Sequence, residues 1–351
     1  MKRFRHHLRT LGLALAALTL EAQPKPAEAC GGFFAGKLEE RPSLSYEQTL
    51  IVYDDQKSLE HFVREVVFDK GNTAFGFVVP TPGRPEVFPV QKNPFKDLTE
   101  RFPLFPPMRS GLMAAGGTGF SGKGGGADAV AVEVLETKRV GSFKTFVLAA
   151  RDPGAFANWL KQQGFASTPE ADRWLAHYVT LGFYFVALRY EPPGAVPKAD
   201  AEAPPSAETI RISFPTPLPF YPYLEPDAAA GAKTPEQRGL EVWLVTRQRS
   251  LPIAARKRAT GGVDWLRPLE SGASYGGYKE NLAGALGEMT SLLPDGSLFV
   301  QRFVDQKRSR AGFGDILFVP EAAGVLPPER REALRALLPL LDPELLPKGT
   351  P

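Results

Sequence analysis

Glycine and proline interrupt this sequence throughout its length and set the first limit on its fold. Each occurs 34 times in 351 residues, and together they form about 19% of the chain, against roughly 12% in ordinary proteins. Few long helices are expected, because glycine weakens helices and strands and proline cannot continue a helix or donate within a sheet. Hydrophobic residues at 43% and charged residues at 23% are typical of a globular protein. The sequence therefore predicts a folded chain of short elements joined by many turns.

The first 29 residues have the pattern of a signal peptide. Basic residues within the first nine positions precede an apolar run over residues 11–20, which is shorter than the membrane-spanning length of about 20 residues. Ala27-Glu28-Ala29 then gives the small-residue pattern of a cleavage site. We expect residues 1–29 to be removed and the protein to be exported to the periplasm, the cell surface or the extracellular space. No transmembrane helix is expected after that removal.

The net charge of +3 comes entirely from residues 1–29. The full chain has 42 basic and 39 acidic residues, and residues 1–29 hold five of the former and two of the latter. The remaining chain therefore has as many basic as acidic residues. Nucleic-acid-binding domains carry a basic excess, so we expect no nucleic-acid partner.

The single cysteine, Cys30, follows the predicted cleavage site directly. One cysteine cannot form an internal disulfide or a cysteine-rich zinc site. Bacterial lipoproteins carry an acylated cysteine at this place, but Ala27 stands where such leaders have a larger aliphatic residue, which argues against lipid anchoring. Lipidation of Cys30 and a free thiol both remain open.

The order of predicted elements favours an α+β fold, mostly antiparallel β-sheet with a few peripheral helices. Strands are predicted over 47–53, 59–68, 74–79, 129–135, 143–150, 183–190, 210–214, 240–246, 298–304 and 315–319. Helices are predicted over 93–101, 153–163 and 328–341, with a further one opening at Pro169. Asn93, Asp152 and Thr168 are the predicted N-caps. Residues 215–226 are too proline-rich for a central strand.

Residues 109–128 are so rich in glycine that they indicate a linker. This stretch divides the chain into a β-rich sub-domain over 30–108 and an α+β sub-domain over 129–327. Residues 328–351 form a C-terminal helix and tail. Two packed sub-domains are therefore expected.

Several segments resemble the DUF2330 family of secreted bacterial proteins. The most specific are the Cys-Gly-Gly-Phe-Phe start at residues 30–34 and the Phe-Gly-Phe-Val-Val-Pro-Thr-Pro segment at residues 75–82. The likeness extends over about residues 30–320. The family has no established activity, so the resemblance implies a compartment and a fold but no catalytic residues.

Two glycine patterns match motifs of catalytic or nucleotide-binding sites. Gly117, Gly122 and Lys123 fit a phosphate-binding loop, but a strand before it and a helix after it are not predicted. Gly272 to Gly276 fits the Gly-x-Ser-x-Gly pattern of a serine hydrolase, with Ser274 as the nucleophile. No histidine follows His177 in the sequence, so Lys279 would have to act as an unusual base. Neither a cofactor nor a metal ion is expected.

The strongest binding candidates are basic and aromatic. The basic residues flank Pro252 and comprise Arg247, Arg249, Arg256, Lys257 and Arg258. Tyr221 and Tyr223 lie in an aromatic, proline-rich segment that either packs against a sheet or presents rings to a ligand. An envelope polymer or another envelope protein is the expected partner.

We therefore expect a non-enzymatic, envelope-associated or binding module whose biochemical role the sequence does not specify. The alternative is a secreted hydrolase that uses carboxylates or Ser274. Catalytic residues stay unassigned, since no pair of acids can be selected from the sequence alone.

Overall fold

The computed structural model describes residues 32–35, 44–68, 75–103, 131–141, 143–165, 167–190, 209–226, 239–257, 263–305, 310 and 312–321. The strands in these residues are β1 (Gly32–Ala35), β2 (Leu44–Asp54), β3 (Leu59–Phe68), β4 (Phe75–Thr81), β5 (Glu86–Pro89), β6 (Val132–Val140), β7 (Phe143–Ala150), β8 (Tyr184–Tyr190), β9 (Thr209–Pro215), β10 (Phe220–Tyr221), β11 (Gly239–Thr246), β12 (Ser250–Lys257), β13 (Val263–Leu266), β14 (Glu270–Tyr278), β15 (Ser297–Asp305) and β16 (Phe313–Pro320). The helices are α1 (Phe95–Arg101), α2 (Pro153–Gln162), α3 (Pro169–Thr180) and α4 (Lys279–Leu286), and a 3₁₀ helix spans Gly287–Leu292.

The strands form three sheets. A seven-stranded sheet has the order β14-β15-β11-β2-β3-β9-β5, a five-stranded sheet the order β1-β4-β8-β7-β6, and a four-stranded sheet the order β10-β16-β12-β13. Among the described strands, β2 and β11 are the one parallel pair, and the other pairs are antiparallel. The predicted α+β class with mostly antiparallel sheet is confirmed.

The sheets do not separate along the predicted linker. Strands β2, β3 and β5 precede residues 109–128, yet they share the seven-stranded sheet with β9, β11, β14 and β15, which follow it. The five-stranded sheet likewise joins β1 and β4 to β6, β7 and β8. The described strands of 30–108 are therefore hydrogen-bonded into sheets with those of 129–327, and do not form a sheet of their own.

The two faces of the seven-stranded sheet are buried in different cores. Side chains alternate between the two faces along β2, and Ile51 lies on the face of the larger of the two cores. This larger core also contains side chains of the other two sheets and of α2 and α3. Leu50 and Val52 point to the opposite face. That face is covered by apolar side chains of α1, α4 and the 3₁₀ helix. The sheet is therefore buried on both sides, which accounts for its apolar central strands.

Two helices begin where the sequence predicts. The carboxylate of Asp152 accepts a hydrogen bond from Ala155 N (2.6 Å) at the start of α2, and the hydroxyl of Thr168 accepts one from Ala171 N (3.2 Å) at the start of α3. Helix α1 begins at Phe95, two residues after the predicted cap. The side chain of Asn93 still accepts a hydrogen bond from Phe95 N at 2.9 Å.

Two of the strands that the sequence does not predict are β12 and β14. Strand β12 contains Pro252, which pairs with Phe318 of β16. Its other neighbour, β13, pairs only with Ala254 to Lys257, so the missing N–H of Pro252 interrupts no second ladder. Strand β14 contains the Gly-x-Ser-x-Gly pattern and ends the seven-stranded sheet, where its bulge between Ser271 and Ser274 is tolerated.

Other predictions fall outside the described residues. These are the signal peptide over 1–29, Cys30, the linker over 109–128 and the C-terminal helix over 328–341. Within the part of the chain that the structure describes, no helix has both the length and the apolar character needed to cross a membrane.

We expect Gly76→Ala to destabilise the protein. Gly76 of β4 lies so close to Phe165 that an added Cβ would overlap the ring. The ring is only 2% exposed and cannot move out to solvent. Overpacking of this kind lowers the free energy of unfolding by about 1–3 kcal/mol, which urea denaturation measures.

Gly314→Ala in β16 is the matched control. The nearest atom to its added Cβ is Ala255 O at 3.7 Å, an ordinary contact, so we expect a change within about 0.5 kcal/mol. Equal effects of the two substitutions would show that Gly76 is not a site of close packing.

Candidate functional site

A proline-rich segment runs through the larger core. We call residues 215–226 the strap. Its side chains Leu218, Phe220, Tyr221 and Tyr223 are almost completely buried. Of the strap residues, only Pro215 at the end of β9, and Phe220 and Tyr221, which pair with β16, belong to a sheet. Prolines cannot donate hydrogen bonds, and most of the strap lies outside the ladders. Its buried polar groups therefore need partners from side chains.

Acidic side chains of the seven-stranded sheet supply some of these partners. Glu60 of β3 accepts a hydrogen bond from Phe220 N at 2.7 Å. Glu47 of β2 accepts one from the hydroxyl of Tyr221 at 2.9 Å. Both acids are buried and share a face of the sheet. The strap is thus held to the sheet at two successive residues.

Two further acids hold the end of the strap. Asp305 of β15 accepts a hydrogen bond from the Tyr223 hydroxyl at 2.7 Å. Asp315 of β16 accepts one from Leu224 N at 2.9 Å and others from the Tyr178 hydroxyl of α3 at 2.9 and 3.0 Å. These four acids are buried and engaged with the strap.

Two of the four acids form ion pairs with buried arginines, which balance their negative charge. Arg64 Nε lies 3.1 Å from Glu47 Oε1, and Arg310 Nε lies 3.0 Å from Asp305 Oδ2. The Arg310 guanidinium also reaches Glu225 of the strap at 3.0 Å. Its carbon lies 4.7 Å from the centre of the Tyr223 ring. Removing one member of such a buried pair leaves the other charge buried without compensation, which lowers the free energy of unfolding.

The other two acids have raised pKa values. Burial raises the pKa of Glu60 well above its usual range, and the hydrogen bond from Phe220 N opposes this. Burial raises the pKa of Asp315 to about 7, against the hydrogen bonds from Leu224, Tyr178 and Tyr223. Perturbed carboxyl groups often mark catalytic sites. Here both acids have structural partners in the strap, so their shifts follow from burial within the fold.

His61 and Ser213 form a pair that the sequence gives no means of finding. Strands β3 and β9 place them directly opposite each other, and His61 Nδ1 lies 2.8 Å from Ser213 Oγ although the residues are 152 positions apart. Both are nearly buried, at 7% and 8% exposed. Burial, then the charge of Arg211, lowers the pKa of His61 to about 4. The imidazole is therefore neutral at pH 7 and is a weak base.

Ser274 is not on a strand-to-helix elbow. It lies within β14, four residues before that strand ends at Tyr278, and α4 follows at Lys279. Its hydroxyl accepts a hydrogen bond from Arg249 Nε at 3.1 Å. The predicted base Lys279 donates to Leu293 O at 3.1 Å. Each of the two side chains therefore has its own partner.

The described residues of the predicted basic cluster lie just before β12 and within it. Arg247 is paired with Asp55, whereas Arg249 and Arg256 are exposed at the two ends of the strand, about 23 Å apart at a rise of ~3.3 Å per residue. The guanidinium of Arg256 lies 5.2 Å from the Phe313 ring centre. The Lys257 side chain and Arg258 lie outside the described residues. Ligand binding by these residues stays a prediction.

Tyr221 and Tyr223 lie inside the core. Each is 0% exposed, and their hydroxyls donate to Glu47 and Asp305. Of the two alternatives for this segment, the rings pack against the sheets and do not form a surface platform.

Exposed apolar side chains lie on the edge strand β13. Trp265 and Leu266 are 39% and 36% exposed, and Val134 of β6 and Tyr278 of β14 are the other large apolar residues exposed in the described chain. The cross-strand neighbours of Trp265 and Leu266 are Ala255 and Ala254. Such small neighbours leave much of each larger side chain uncovered. Within the described residues, no group of three or more metal-ligating side chains is present.

Comparisons with known proteins identify a family. A family model described as an uncharacterized protein conserved in bacteria (DUF2330) matches residues 24–277. The chain matches no curated protein. The solved structure of baculovirus P35 aligns over 80% of this chain and 98% of that chain, at 8% identity and a TM-score of 0.34. A likeness at that score supports no conclusion about fold or function.

We expect Asp315→Asn to change the pH dependence of stability. The pKa of an aspartate in an unfolded chain is about 3.9, and that of Asp315 in the fold is about 7. The folded state therefore binds this proton more tightly. The resulting stabilisation is complete below about pH 4 and is lost as the pH rises through about 7.

Urea denaturation between pH 5 and pH 7 measures this effect. The free energy of unfolding of the wild type should fall relative to that of Asp315→Asn by up to about 1.4 kcal/mol per pH unit. Asp295→Asn is the control, because that side chain is 95% exposed and should leave the wild-type curve unchanged. Parallel curves for wild type and Asp315→Asn would contradict the assigned titration.

Proposed function

We propose, from the premise that the chain belongs to the DUF2330 family of uncharacterized bacterial proteins, that it is an exported, non-enzymatic binding module of the bacterial envelope. The signal-peptide pattern of residues 1–29 supports export. The partner is an extended segment of another envelope protein, which adds a strand beside β13.

The exposure of Trp265 and Leu266 carries this proposal. They are adjacent in β13, so their side chains point to opposite faces of the sheet. In the described chain, β13 is the last strand of its sheet, and an edge strand offers unpaired N–H and C=O groups. An added strand would bond to these groups and cover both apolar side chains at once. A ligand on one face would cover only one of them.

The charges beside β13 favour an acidic partner segment. Arg256 lies in register with Asp264, and Arg267 follows the strand directly; both arginines are exposed. Lys257 is the last residue of β12, and Arg258 follows it in the sequence; both add positive charge. Opposite charges across an interface accelerate association and select the partner.

The interior supports a non-enzymatic role. Glu47, Glu60, Asp305 and Asp315 each hold the strap. A catalytic acid must instead reach a substrate within hydrogen-bonding distance. These four buried acids are therefore poor candidates for the carboxylate hydrolase that the sequence left open.

Site-specific photo-crosslinking in the producing bacterium tests the proposal. A photoreactive amino acid at position 265 should give an adduct with another envelope polypeptide, and Leu266→Asp in the same chain should reduce its yield at least tenfold. The matched control is the same amino acid at Val134, which is 44% exposed on edge strand β6 and should give no such adduct.

Mass spectrometry of the adduct decides among the outcomes. A different polypeptide, attached to a chain that lacks residues 1–29, supports both the partner and export. An adduct of twice the chain mass would show self-pairing, and an adduct with a polysaccharide would show a polymer ligand. Either of these, or equal labelling at position 134, overturns the proposal.

A secreted serine hydrolase is the second candidate, and the His61–Ser213 contact of 2.8 Å favours it. In that role, Ser213 Oγ would attack an acyl carbon and pass its proton to His61 Nδ1. The burial of both residues and the lowered pKa of His61 weigh against it.

Labelling with a fluorophosphonate probe tests the hydrolase at pH 7. We expect no label on the wild-type protein, because a buried serine beside a weak base is a poor nucleophile. Label that is lost in Ser213→Ala but kept in Ser274→Ala would establish the hydrolase. Label lost only in Ser274→Ala would assign activity to the Gly-x-Ser-x-Gly segment.

A further inference from the structure

Strand β14 has an open edge without the features that usually prevent strand pairing. It is the last strand of the seven-stranded sheet in the described chain. Edge strands commonly carry prolines or charged residues that keep other chains away, as Pro89 does in β5 and Lys138 in β6. Residues 271–278 contain neither a proline nor a charged residue. After the bulge of β14, residues 274–278 pair regularly with β15, so this part of the strand can receive a further strand.

Two glycines in this regular part are not required by the fold. Gly276 and Gly277 are not among the glycines of positive φ in the described chain. A Cβ added to Gly276 would lie 3.7 Å from the Phe299 ring, and one added to Gly277 would lie 3.6 Å from Asn281 Cβ. Both are ordinary contacts. Glycine weakens the interior of a strand and often marks a place where another backbone approaches closely.

The start of α4 indicates which backbone groups face the open edge. Tyr278 N donates to Asn281 Oδ1 at 3.1 Å and therefore not to β15. In an antiparallel pair, residues that bond to one neighbouring strand alternate with residues that face away from it. Gly276 and Ser274 lie two and four positions before Tyr278. Their N–H and C=O groups therefore face the open edge, with Gly276 at the centre of the regular part.

An exposed ring and an exposed cation lie on the same face of β14. Tyr278 is 59% exposed and shares this face with Ser274, because side chains alternate along a strand. The Ser274 hydroxyl accepts a hydrogen bond from Nε of the exposed Arg249 at 3.1 Å. A cation and the face of an aromatic ring attract each other. The regular part of β14 thus has a cation at one end and a matching ring at the other.

We propose that β14 pairs with β14 of a second copy of this chain, antiparallel and about a two-fold axis at Gly276. In this register the two Gly276 residues exchange N–H to C=O hydrogen bonds, and Ser274 lies opposite Tyr278 of the partner subunit. The seven-stranded sheets of the two copies then form one continuous sheet. The homodimer goes beyond the function proposed above, because it uses a different strand and a different partner.

The register brings the ring of each copy to the cation of the other. Tyr278 reaches the partner's Ser274, where Arg249 is held, and the contact occurs twice because a two-fold interface is self-complementary. The two Tyr278 rings also lie diagonally across the Gly276 pair, and aromatic side chains stabilise edge strands by covering glycine in this way.

The other face of the strand accounts for the second glycine. Tyr275 lies opposite the partner's Gly277 in this register. The Tyr275 ring packs against Phe102, with 5.0 Å between the ring centres, and its hydroxyl donates to Pro103 O. Because glycine has no side chain, the second copy can approach without displacing this ring.

Light scattering of the mature protein under reducing conditions tests the dimer. One short strand pair is smaller than a standard interface of about 1,600 Å², so we expect micromolar association. At about 100 µM protein the mass should be twice that of one chain. Gly276→Asp places two like charges opposite each other, which opposes strand pairing, and should weaken the dimer at least tenfold. Thr137→Asp, exposed on edge strand β6, is the matched control and should remain dimeric.

Disulfide trapping in a Cys30→Ser background tests the register. The two copies of residue 276 would lie about 5.5 Å apart between Cα atoms, which a disulfide can span. Gly276→Cys should therefore form an intermolecular disulfide on mild oxidation. Ser271→Cys is the control on the same strand, because Ser271 is exposed but lies five positions from the axis. Its two copies would lie about 33 Å apart at a rise of ~3.3 Å per residue and should not crosslink.

Three results would overturn the inference. These are a monomeric mass for the wild type, an unchanged dimer in a folded Gly276→Asp variant, and equal trapping at positions 271 and 276. Thermal unfolding of each variant verifies folding. A monomer that still gives the expected adduct at position 265 contradicts only the dimer, and a dimer without that adduct contradicts only the binding proposed at β13. The two proposals can therefore fail independently.

Discussion

The hydrogen bonds between buried acids and the strap are the interaction on which the remaining architecture depends. The strap lies in the one core that contains side chains of all three sheets, and its prolines cannot donate a hydrogen bond to a ladder. Without the acids, Phe220 N, Leu224 N and the tyrosine hydroxyls would lose these hydrogen bonds, and a buried donor left unsatisfied costs about 1–3 kcal/mol. With the acids in place, the sheets can close around an irregular segment.

The parallel pair lies in the middle of the seven-stranded sheet. Strand β11 lies beside β2, almost 200 positions later in the chain, and their registered residues run from Gly239 and Tyr46 to Val245 and Val52. Glu47 of β2 and Asp305 of β15 hold neighbouring tyrosines of the strap. The N-terminal and C-terminal strands are therefore joined both by backbone pairing and by side chains that hold one segment.

The sequence was sufficient for local structure and insufficient for long-range pairing. The predicted bounds of β3 and β7 agree with the structure, and the caps Asp152 and Thr168 are present, because alternation and capping are local properties. The strap also fits its prediction as a segment too proline-rich for a central strand. The glycine density of 109–128 indicated a break in regular structure, but glycine density carries no information about which strands pair across it.

The candidate site was harder to predict for the same reason. Arg247 was singled out for its basic neighbours, yet its partner Asp55 is 192 positions away. The pairing of His61 with Ser213 depends on the contact between β3 and β9. The sequence does not show whether Tyr221 and Tyr223 are surface rings or core rings, because their burial depends on contacts with residues far away in the chain, such as Glu47 and Asp305.

The distribution of polar groups explains why binding is proposed at the edge of a sheet. Substituting a buried acid would remove a hydrogen-bond acceptor from a donor of the strap and destabilise the fold. Few substitutions are therefore expected to be tolerated at Glu47, Glu60, Asp305 and Asp315. Substitutions at exposed positions such as Trp265 and Arg267 typically alter the free energy of unfolding by no more than about 0.5 kcal/mol. The residues at the β13 edge can therefore change with little loss of stability, as the proposed partner site requires.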